Sequence, residues 1–448
     1  MLSERLHARW TIWVGQVWEH VLFDSWLIAF ARSWLTRIAA AVLLRTGSRI
    51  TALKLLSTAH RTTRSSAFRK SLERQISVSM DGRRMLRAEI TAAGREYVQT
   101  MPASDKERAR RLLGTRALVL KTSRPGERGI LLIDYAYAFP LFAAFFNLET
   151  ITRHYHIVLE PSWIGYCTPE ILAYAHLQTP VFVETVEPPD RAFLEAIGGP
   201  FVPVPVAANW WVDHRVVRPL GTAKDVDVCM VAAWSRFKRH AAVFSALATL
   251  RKRGVHLRTL LIGYVGDKTL SKDDVHQQAK YYGLADLVEM QEHLPLESLV
   301  AQLNRAKTHL LWSRREGFNR ATIEALAVDI PVILREGHNY GLPYRYINPQ
   351  TGRLANETTL PAVLHEVVER YGEFTPRAWM MDHMTPQTAA AILGKAVRDV
   401  AVQRGESWTS EPVAKVVELT HARYWDPADQ QRFARDYEFL TSPECEPK

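Results

Sequence analysis

Residues 313–327, which read SRREGFNRATIEALA, mark a point where the chain passes from a strand into a helix. The apolar run that ends at Trp312 predicts a strand, and Asn319 is a typical helix N-cap. A second apolar run, residues 331–334, predicts the next strand. A strand, a helix and a strand in this order indicate a βαβ unit with parallel strands.

The same alternation runs through the chain before this stretch. Apolar, β-rich segments predict two successive groups of five strands. The first group is at 117–120, 130–133, 157–159, 181–183 and 202–206, and the second is at 226–233, 258–262, 288–290, 309–312 and 331–334. The predicted fold is α/β, with two Rossmann-like domains facing a cleft, an N-terminal helical extension and C-terminal helices. The helical extension is predicted at 1–110, the first Rossmann-like domain at 111–218, the second at 219–370 and the C-terminal helices at 371–448.

Composition excludes several classes of protein. The chain has 448 residues, of which 47% are hydrophobic and 23% charged, so it is long enough for two or three domains and is neither collagen-like nor disordered throughout. Its three cysteines, Cys167, Cys229 and Cys445, lie far apart. We therefore expect neither a disulfide framework nor a zinc site.

Positive charge is concentrated at the N-terminus. Of the net charge of +10, residues 1–70 contribute +8, and they also hold five of the thirteen tryptophans: Trp10, Trp13, Trp18, Trp26 and Trp34. Aromatic and basic residues on one helix favour contact with an anionic membrane surface. The alternative is an amphipathic helix packed on its own domain. Nucleic acid is disfavoured as a partner, because the rest of the chain is nearly neutral.

Charged residues also argue against a spanning helix and a signal peptide. Glu19, Asp24, Arg32 and Arg37 interrupt every apolar run near the N-terminus, and no small-residue cleavage site follows. We therefore expect a cytoplasmic protein that is peripheral at the inner face of the cell membrane.

Glu316 and Glu324 carry a family resemblance. The run around them resembles the Glu-x7-Glu signature of glycosyltransferase family 4, whose members have the GT-B fold and retain anomeric configuration, and the likeness covers residues 209–368. The resemblance implies that Glu316 contacts sugar hydroxyls and Glu324 the nucleotide ribose. The free N–H groups of the helix start can hold a diphosphate. The expected donor-binding residues are therefore Glu324, Gly317, Phe318, Asn319, Arg320 and Gly263.

Cations should stabilise the departing diphosphate. The family places them after the first strand of the second domain, where this chain has Arg236 and Lys238, with Arg239 as a rival. Fixed cations aimed at the leaving phosphate stabilise the transition state more than the ground state. No cofactor or metal is expected. Asp225 and Asp227 precede the apolar residues 228–233, whereas a metal-binding Asp-x-Asp motif needs carboxylates near the carboxyl end of a strand.

The first domain is expected to bind the acceptor. Asp134, Glu160 and Glu184 each follow an apolar strand and are candidates to contact an acceptor hydroxyl. The resulting interpretation is a retaining glycosyltransferase that moves a sugar from a nucleotide-sugar donor to a glycan or lipid-linked acceptor at the membrane. The alternatives are a catalytically silent nucleotide-sugar-binding or scaffold subunit, and another GT-B activity such as epimerisation.

Overall fold

The structure is a computed structural model. It describes residues 2–21, 25–63, 65–79, 88–89, 92, 112–162, 168–314, 316, 319–337, 345–417 and 421–446. The chain divides into two compact units. The first-sheet unit comprises Ala29–Asp213 and Thr385–Lys448, and the second-sheet unit comprises Met1–Ile28 and His214–Met384.

The N-terminal segment forms helices. They are α1 (Leu2–Glu19), α2 (Trp26–Arg45), α3 (Arg49–Thr62) and α4 (Ser66–Ser79). By length and composition α2 could cross a membrane: its apolar window has a mean hydropathy of 1.6, and 17% of it is buried. Arg32 and Arg37 interrupt this helix, and the expectation that it does not span a membrane stays a prediction. The polar run at residues 100–111 predicts a linker or a loose helix, and it lies outside the described residues.

The first-sheet unit is built on five strands. Its elements up to residue 204 are β1 (Ala117–Lys121), β2 (Gly129–Asp134), α5 (Ala138–Phe145), α6 (Leu148–His154), β3 (Tyr155–Glu160), α7 (Pro169–Leu172), β4 (Val181–Glu184), α8 (Pro188–Ile197) and β5 (Phe201–Val204). The strands lie in the order β1-β2-β3-β4-β5, and every pair is parallel except β1 with β2. Strands β1 to β4 are buried along their whole length, as apolar runs predict.

The second-sheet unit contains six parallel strands. Its elements are β6 (Val226–Val231), α9 (His240–Arg251), β7 (Thr259–Gly263), α10 (Lys272–Tyr281), β8 (Val288–Glu292), α11 (Leu296–Arg305), β9 (Ala306–Leu311), α12 (Arg320–Ala327), β10 (Val332–Arg335), β11 (Gly352–Ala355), α13 (Leu360–Glu369) and α14 (Pro376–His383). Helix α1 packs on this unit, against α10. The strand order is β11-β10-β9-β6-β7-β8.

The C-terminal segment returns to the first-sheet unit. It forms α15 (Pro386–Gln403), β12 (Lys415–Val417), β13 (Ala422–Tyr424), α16 (Ala428–Arg432) and α17 (Ala434–Leu440). Strands β12 and β13 pair as a short antiparallel hairpin.

The predicted fold class is confirmed: two Rossmann-like α/β domains, with helices at both ends of the chain. All ten predicted strands exist. Three features were not predicted, namely the antiparallel pairing of β1, the edge strand β11 and the β12–β13 hairpin.

Candidate active site

The second sheet has a topological switch point between β6 and β9. The chain builds outward from β6 through β7 and β8, then crosses to β9 and builds outward on the other side. Ligands of doubly wound sheets bind outside the carboxyl ends of the strands at such a point. Two segments meet there: residues 232–239, here called the β6 loop, and residues 312–319, called the β9 loop. A backbone hydrogen bond of 3.1 Å, from Arg314 N to Phe237 O, joins them.

Close packing fixes the β6 loop. The Trp234 ring is fully buried, and the Ser235 hydroxyl donates a hydrogen bond of 2.6 Å to Asp267. The chain then makes one 3-10 turn, Arg236–Lys238, before α9 begins. These contacts hold the cationic side chains of the turn at the carboxyl edge of the sheet.

An ion pair crosses the switch point. The Lys238 ammonium donates a hydrogen bond to the Glu316 carboxylate. The two residues are only 7% and 6% exposed. Because burial of a charge is costly unless an opposite charge lies beside it, the two groups compensate one another in this site. Two residues predicted from separate motifs thus lie in direct contact.

The start of α12 provides the second glutamate. The Asn319 side chain accepts a hydrogen bond of 3.0 Å from Thr322 N, which confirms the predicted N-cap. Glu324, one turn further, is 3% exposed and pairs with Arg320 at 2.8 Å. The carboxylate expected to bind ribose is therefore already held by a guanidinium of its own helix.

Of the two glycines expected at the donor site, the structure describes Gly263. Gly263 ends β7, where an added Cβ would lie 2.4 Å from the Ala232 carbonyl oxygen and 2.9 Å from the Trp234 ring. Close packing therefore accounts for this glycine without a ligand. Gly317 and Phe318 lie outside the described residues.

A cluster of arginines adjoins the ion pair. Arg239 and Arg335 both pair with Glu357. Burial and, to a smaller extent, the neighbouring Arg335 lower the pKa of Arg314 to about 10. Although burial opposes ionisation, Arg335 and Arg239 lower the pKa of Glu357 to about 2. Several guanidinium groups repel one another here, so a bound anion would be stabilised.

Residues 218–371 match the family model described as Glycosyl transferases group 1. This segment, the glycosyltransferase domain, contains the second sheet, both loops of the switch point and the arginine cluster. With its two Rossmann-like domains, the chain has the fold class of a GT-B glycosyltransferase.

Three solved structures illustrate the likeness in fold. Sucrose-phosphate synthase from Thermosynechococcus elongatus is 16% identical, over 61% of this chain and 73% of that chain, with a TM-score of 0.46. HepE of Anabaena, solved with UDP-glucose, is 14% identical over 60% of this chain and 78% of that chain, with a TM-score of 0.45. The lipopolysaccharide outer core galactosyltransferase WaaB is 16% identical over 60% of this chain and 75% of that chain, with a TM-score of 0.42. No curated protein sequence matches the chain.

The three candidate acceptor residues lie together in the first-sheet unit, but they are buried. Asp134, Glu160 and Glu184 end the neighbouring strands β2, β3 and β4, and each is at most 1% exposed. The Arg116 guanidinium lies 3.1 Å from Asp134, and the Lys415 ammonium of β12 lies 2.9 Å from Glu160. In this arrangement the carboxylates meet protein cations, and solvent does not reach them.

Burial changes the protonation of this acidic group. It raises the pKa of Asp134 to about 7, and Lys415 opposes this effect. Burial and the adjacent Glu160 also raise the pKa of Glu184 well above its usual range. Three carboxylates therefore share two cations, with protons retained on part of the group near neutral pH.

Two buried histidines lie beside the topological switch point of the second sheet. His240 begins α9 and His309 lies in β9, and both are at most 1% exposed. Burial, assisted by Lys238, lowers the pKa of each to about 3, so both are neutral at pH 7. Among the residues that the structure describes, no group of three or more His, Cys, Asp or Glu could hold a metal ion.

Sequence reasoning missed Arg335, Glu357 and the role of α1. Arg335 and Glu357 are 22 positions apart and meet only because β10 and β11 are neighbours. Glu19, at the end of α1, lines the same cavity as Arg236 and Arg239. Packing of an N-terminal helix on its own domain was one of the two alternatives, but no residue pattern indicates which domain the helix contacts.

Proposed function

We propose that the protein is a retaining glycosyltransferase of family 4, which moves a sugar from a nucleotide-sugar donor to a glycan or lipid-linked acceptor. The observation that carries the proposal is the Lys238–Glu316 ion pair at the switch point of a group 1 glycosyltransferase domain. It joins the cation needed for the leaving diphosphate to the first glutamate of the Glu-x7-Glu motif.

The donor's diphosphate would bind at the arginine-rich edge of this domain. Arg236, Arg239, Arg314 and Arg335 lie there together with the carboxylates of Glu19 and Glu357. Their guanidinium groups would attract an anion. Lys238 and Arg236 would stabilise charge that develops on the departing phosphate. Glu324 would accept hydrogen bonds from ribose hydroxyls, and Glu316 from the sugar.

The proposed reaction needs no separate protein base. The acceptor hydroxyl would attack on the face that the nucleotide leaves, and the departing phosphate would take its proton. His240 and His309 are buried and neutral, so neither competes with Lys238 for the phosphate charge.

We also propose that the protein works as a peripheral protein at the cytoplasmic face of an anionic membrane. Trp10, Trp13, Trp18, Trp26 and Trp34 are each more than 40% exposed. Interfacial binding stabilises such rings at the depth of the lipid headgroups. We favour an in-plane position for α2 over a span, because Arg32 and Arg37 would each cost about 2.5–3.5 kcal/mol at the bilayer centre.

The test uses full-length protein and a panel of UDP-, GDP- and ADP-sugars, with release of nucleoside diphosphate measured with and without membrane extract. Transfer requires the extract, hydrolysis does not, and a silent subunit releases nothing. Lys238→Ala should lower extract-dependent release by about 100-fold. The control Lys252→Ala changes an exposed lysine of the same domain and should leave release unchanged. The anomeric configuration of the product tests retention.

A further inference from the structure

The N-terminal helix forms part of a cavity in the glycosyltransferase domain. The cavity measures about 320 Å³, and its walls include Gln16 and Glu19 of α1, Arg236 and Arg239 of the β6 loop, and Gln278 of α10. Helix α1 is secured to this domain by Ala8 and Ile12, which are buried, and by a hydrogen bond of 2.8 Å between His7 and Asp274.

The cavity wall carries polar atoms without hydrogen-bond partners. Among the described residues, both ring nitrogens of His240 and the side-chain oxygen of Gln278 have none, although these residues are only 1% and 2% exposed. The buried Arg236 Nε, among the same described residues, also has no hydrogen-bond partner. Buried polar groups normally find a partner, so this wall suits a polar ligand. The two guanidinium groups of the cavity favour an anionic one.

Glu19 introduces a negative charge into this cationic site. It is the last residue of α1, is 3% exposed and lines the cavity together with Arg236 and Arg239. Its carboxylate also lies close enough to act on Arg314 and Arg335. The negative groups of a diphosphate would bind to the same cations, and like charges in a partly dehydrated site repel one another strongly.

The outer side of the same helix is apolar. Leu6, Trp10, Trp13 and Val17 are 40–62% exposed, and their spacing of three and four residues places them in one stripe. Ala8, Ile12 and Glu19 lie on the opposite, buried side. Exposed Arg5 and Arg9 lie beside the stripe, which matches an anionic lipid surface in charge.

We propose that α1 is a membrane-operated gate on the donor site, in which Glu19 competes with the donor's diphosphate for the arginines. Binding of anionic lipid to the stripe of Leu6, Trp10, Trp13 and Val17 shifts α1, withdraws the carboxylate and strengthens donor binding. This inference rests on the proposed function. It adds a residue that sets donor affinity and a means of restricting transfer to the membrane surface.

The experiment measures binding of inorganic pyrophosphate, UDP, GDP and ADP to the full chain by calorimetry, with no vesicles, with phosphatidylcholine vesicles and with vesicles containing phosphatidylglycerol. For the wild type, anionic vesicles should tighten binding by about fivefold or more. Glu19→Gln should bind that tightly without vesicles, and vesicles should add little. The control Glu4→Gln makes the same charge change at the exposed start of α1 and should behave as wild type.

Further variants separate the gate from other roles. Trp10→Ser with Trp13→Ser should abolish the vesicle effect and leave vesicle-free affinity unchanged. If Glu19→Gln weakens binding, the carboxylate organises the arginines and the gate is wrong. Unchanged affinity in Glu19→Gln, or an equal vesicle effect in Glu19→Gln and wild type, also overturns it while the proposed function stands. If no nucleoside diphosphate binds to any variant, the proposed function itself fails.

Discussion

A buried ammonium and a buried carboxylate stabilise one another only while both are present. Lys238 and Glu316 are in this position, since each is less than 10% exposed and their charged groups are in contact. Removal of one partner leaves an uncompensated buried charge, which costs about 3–5 kcal/mol. A loss of activity in a single variant would therefore combine a loss of stability with a loss of chemistry.

A double variant separates the two effects. Lys238→Met and Glu316→Gln should each lower the unfolding midpoint, whereas the double variant should recover most of it, because no unpaired charge is left. Turnover of the double variant should remain about 100-fold below wild type, since the cation for the leaving diphosphate is still absent. Thermal unfolding and nucleoside diphosphate release check the prediction, with Lys252→Met as control. Recovery of turnover in the double variant would show that the pair is only structural.

Glu324 has a different expected role. Glu324→Gln should weaken donor binding by about 10- to 100-fold, because it removes a charge-assisted acceptor for ribose hydroxyls worth about 1.5–3 kcal/mol. Calorimetry with the nucleoside diphosphate of the active donor measures this. Glu369→Gln, an exposed glutamate of the same domain, is the control. An unchanged dissociation constant would leave Glu324 with its ion pair to Arg320 as its only function.

At the scale of single residues, the sequence predicts contacts between neighbours in the chain but not contacts between distant segments. The Asn319 cap follows from the four residues around it, and the structure confirms it. Donor binding by Gly263 stays a prediction, while packing alone requires a glycine there, because an added Cβ would clash with the Ala232 carbonyl oxygen. Arg335 and Glu357 come together through strand pairing, which no pattern within either segment reveals.

At the scale of elements, the ends of β2, β3 and β4 place Asp134, Glu160 and Glu184 next to one another. Alternation of apolar strands and helices was enough to predict those strands and their parallel pairing. It did not predict that Lys415, from the short hairpin strand β12, would cover Glu160. A three-residue strand more than 250 positions away carries too little periodicity to be recognised.

This acidic group makes stability depend on pH. Burial raises the pKa of Asp134 to about 7, so its proton is held more tightly in the folded chain than in the unfolded one. Its contribution is complete below the unfolded pKa of about 4 and is lost as pH rises through about 7. Glu184, whose pKa is also raised, acts in the same direction, and Arg116 and Lys415 limit the effect.

We therefore expect Asp134→Asn to flatten the pH dependence of unfolding. Between about pH 4.5 and pH 7.5 the wild type should lose on the order of 1–3 kcal/mol more than the variant does. Urea unfolding at several pH values measures the difference. Asp399→Asn, an exposed aspartate of the same unit, should leave the slope as in wild type. Equal slopes in Asp134→Asn and wild type would contradict the raised pKa.

At the scale of the whole molecule, positive charge and exposed aromatic rings occupy the same end of the chain. Residues 1–70 account for +8 of the net charge of +10, and the five tryptophans of this segment are 43–62% exposed. Each basic residue near an anionic leaflet contributes about 1 kcal/mol, which salt screens, whereas the contribution of buried Trp and Leu is not screened. Peripheral binding should therefore weaken with salt without vanishing.

Sedimentation with anionic vesicles tests this expectation against a spanning α2. Full-length protein should sediment at low salt and be partly released at high salt without detergent. Replacement of Trp13, Trp18 and Trp26 by Ser should release it from the vesicles and leave transfer to a soluble acceptor analogue largely intact, since these rings lie outside the proposed donor site. Tyr281→Ser, which removes a ring of similar exposure (45%) from the glycosyltransferase domain, should sediment as wild type. Failure to sediment at low salt, or a need for detergent at every ionic strength, would rule out an in-plane helix, because only a peripheral helix combines salt-sensitive and salt-insensitive binding.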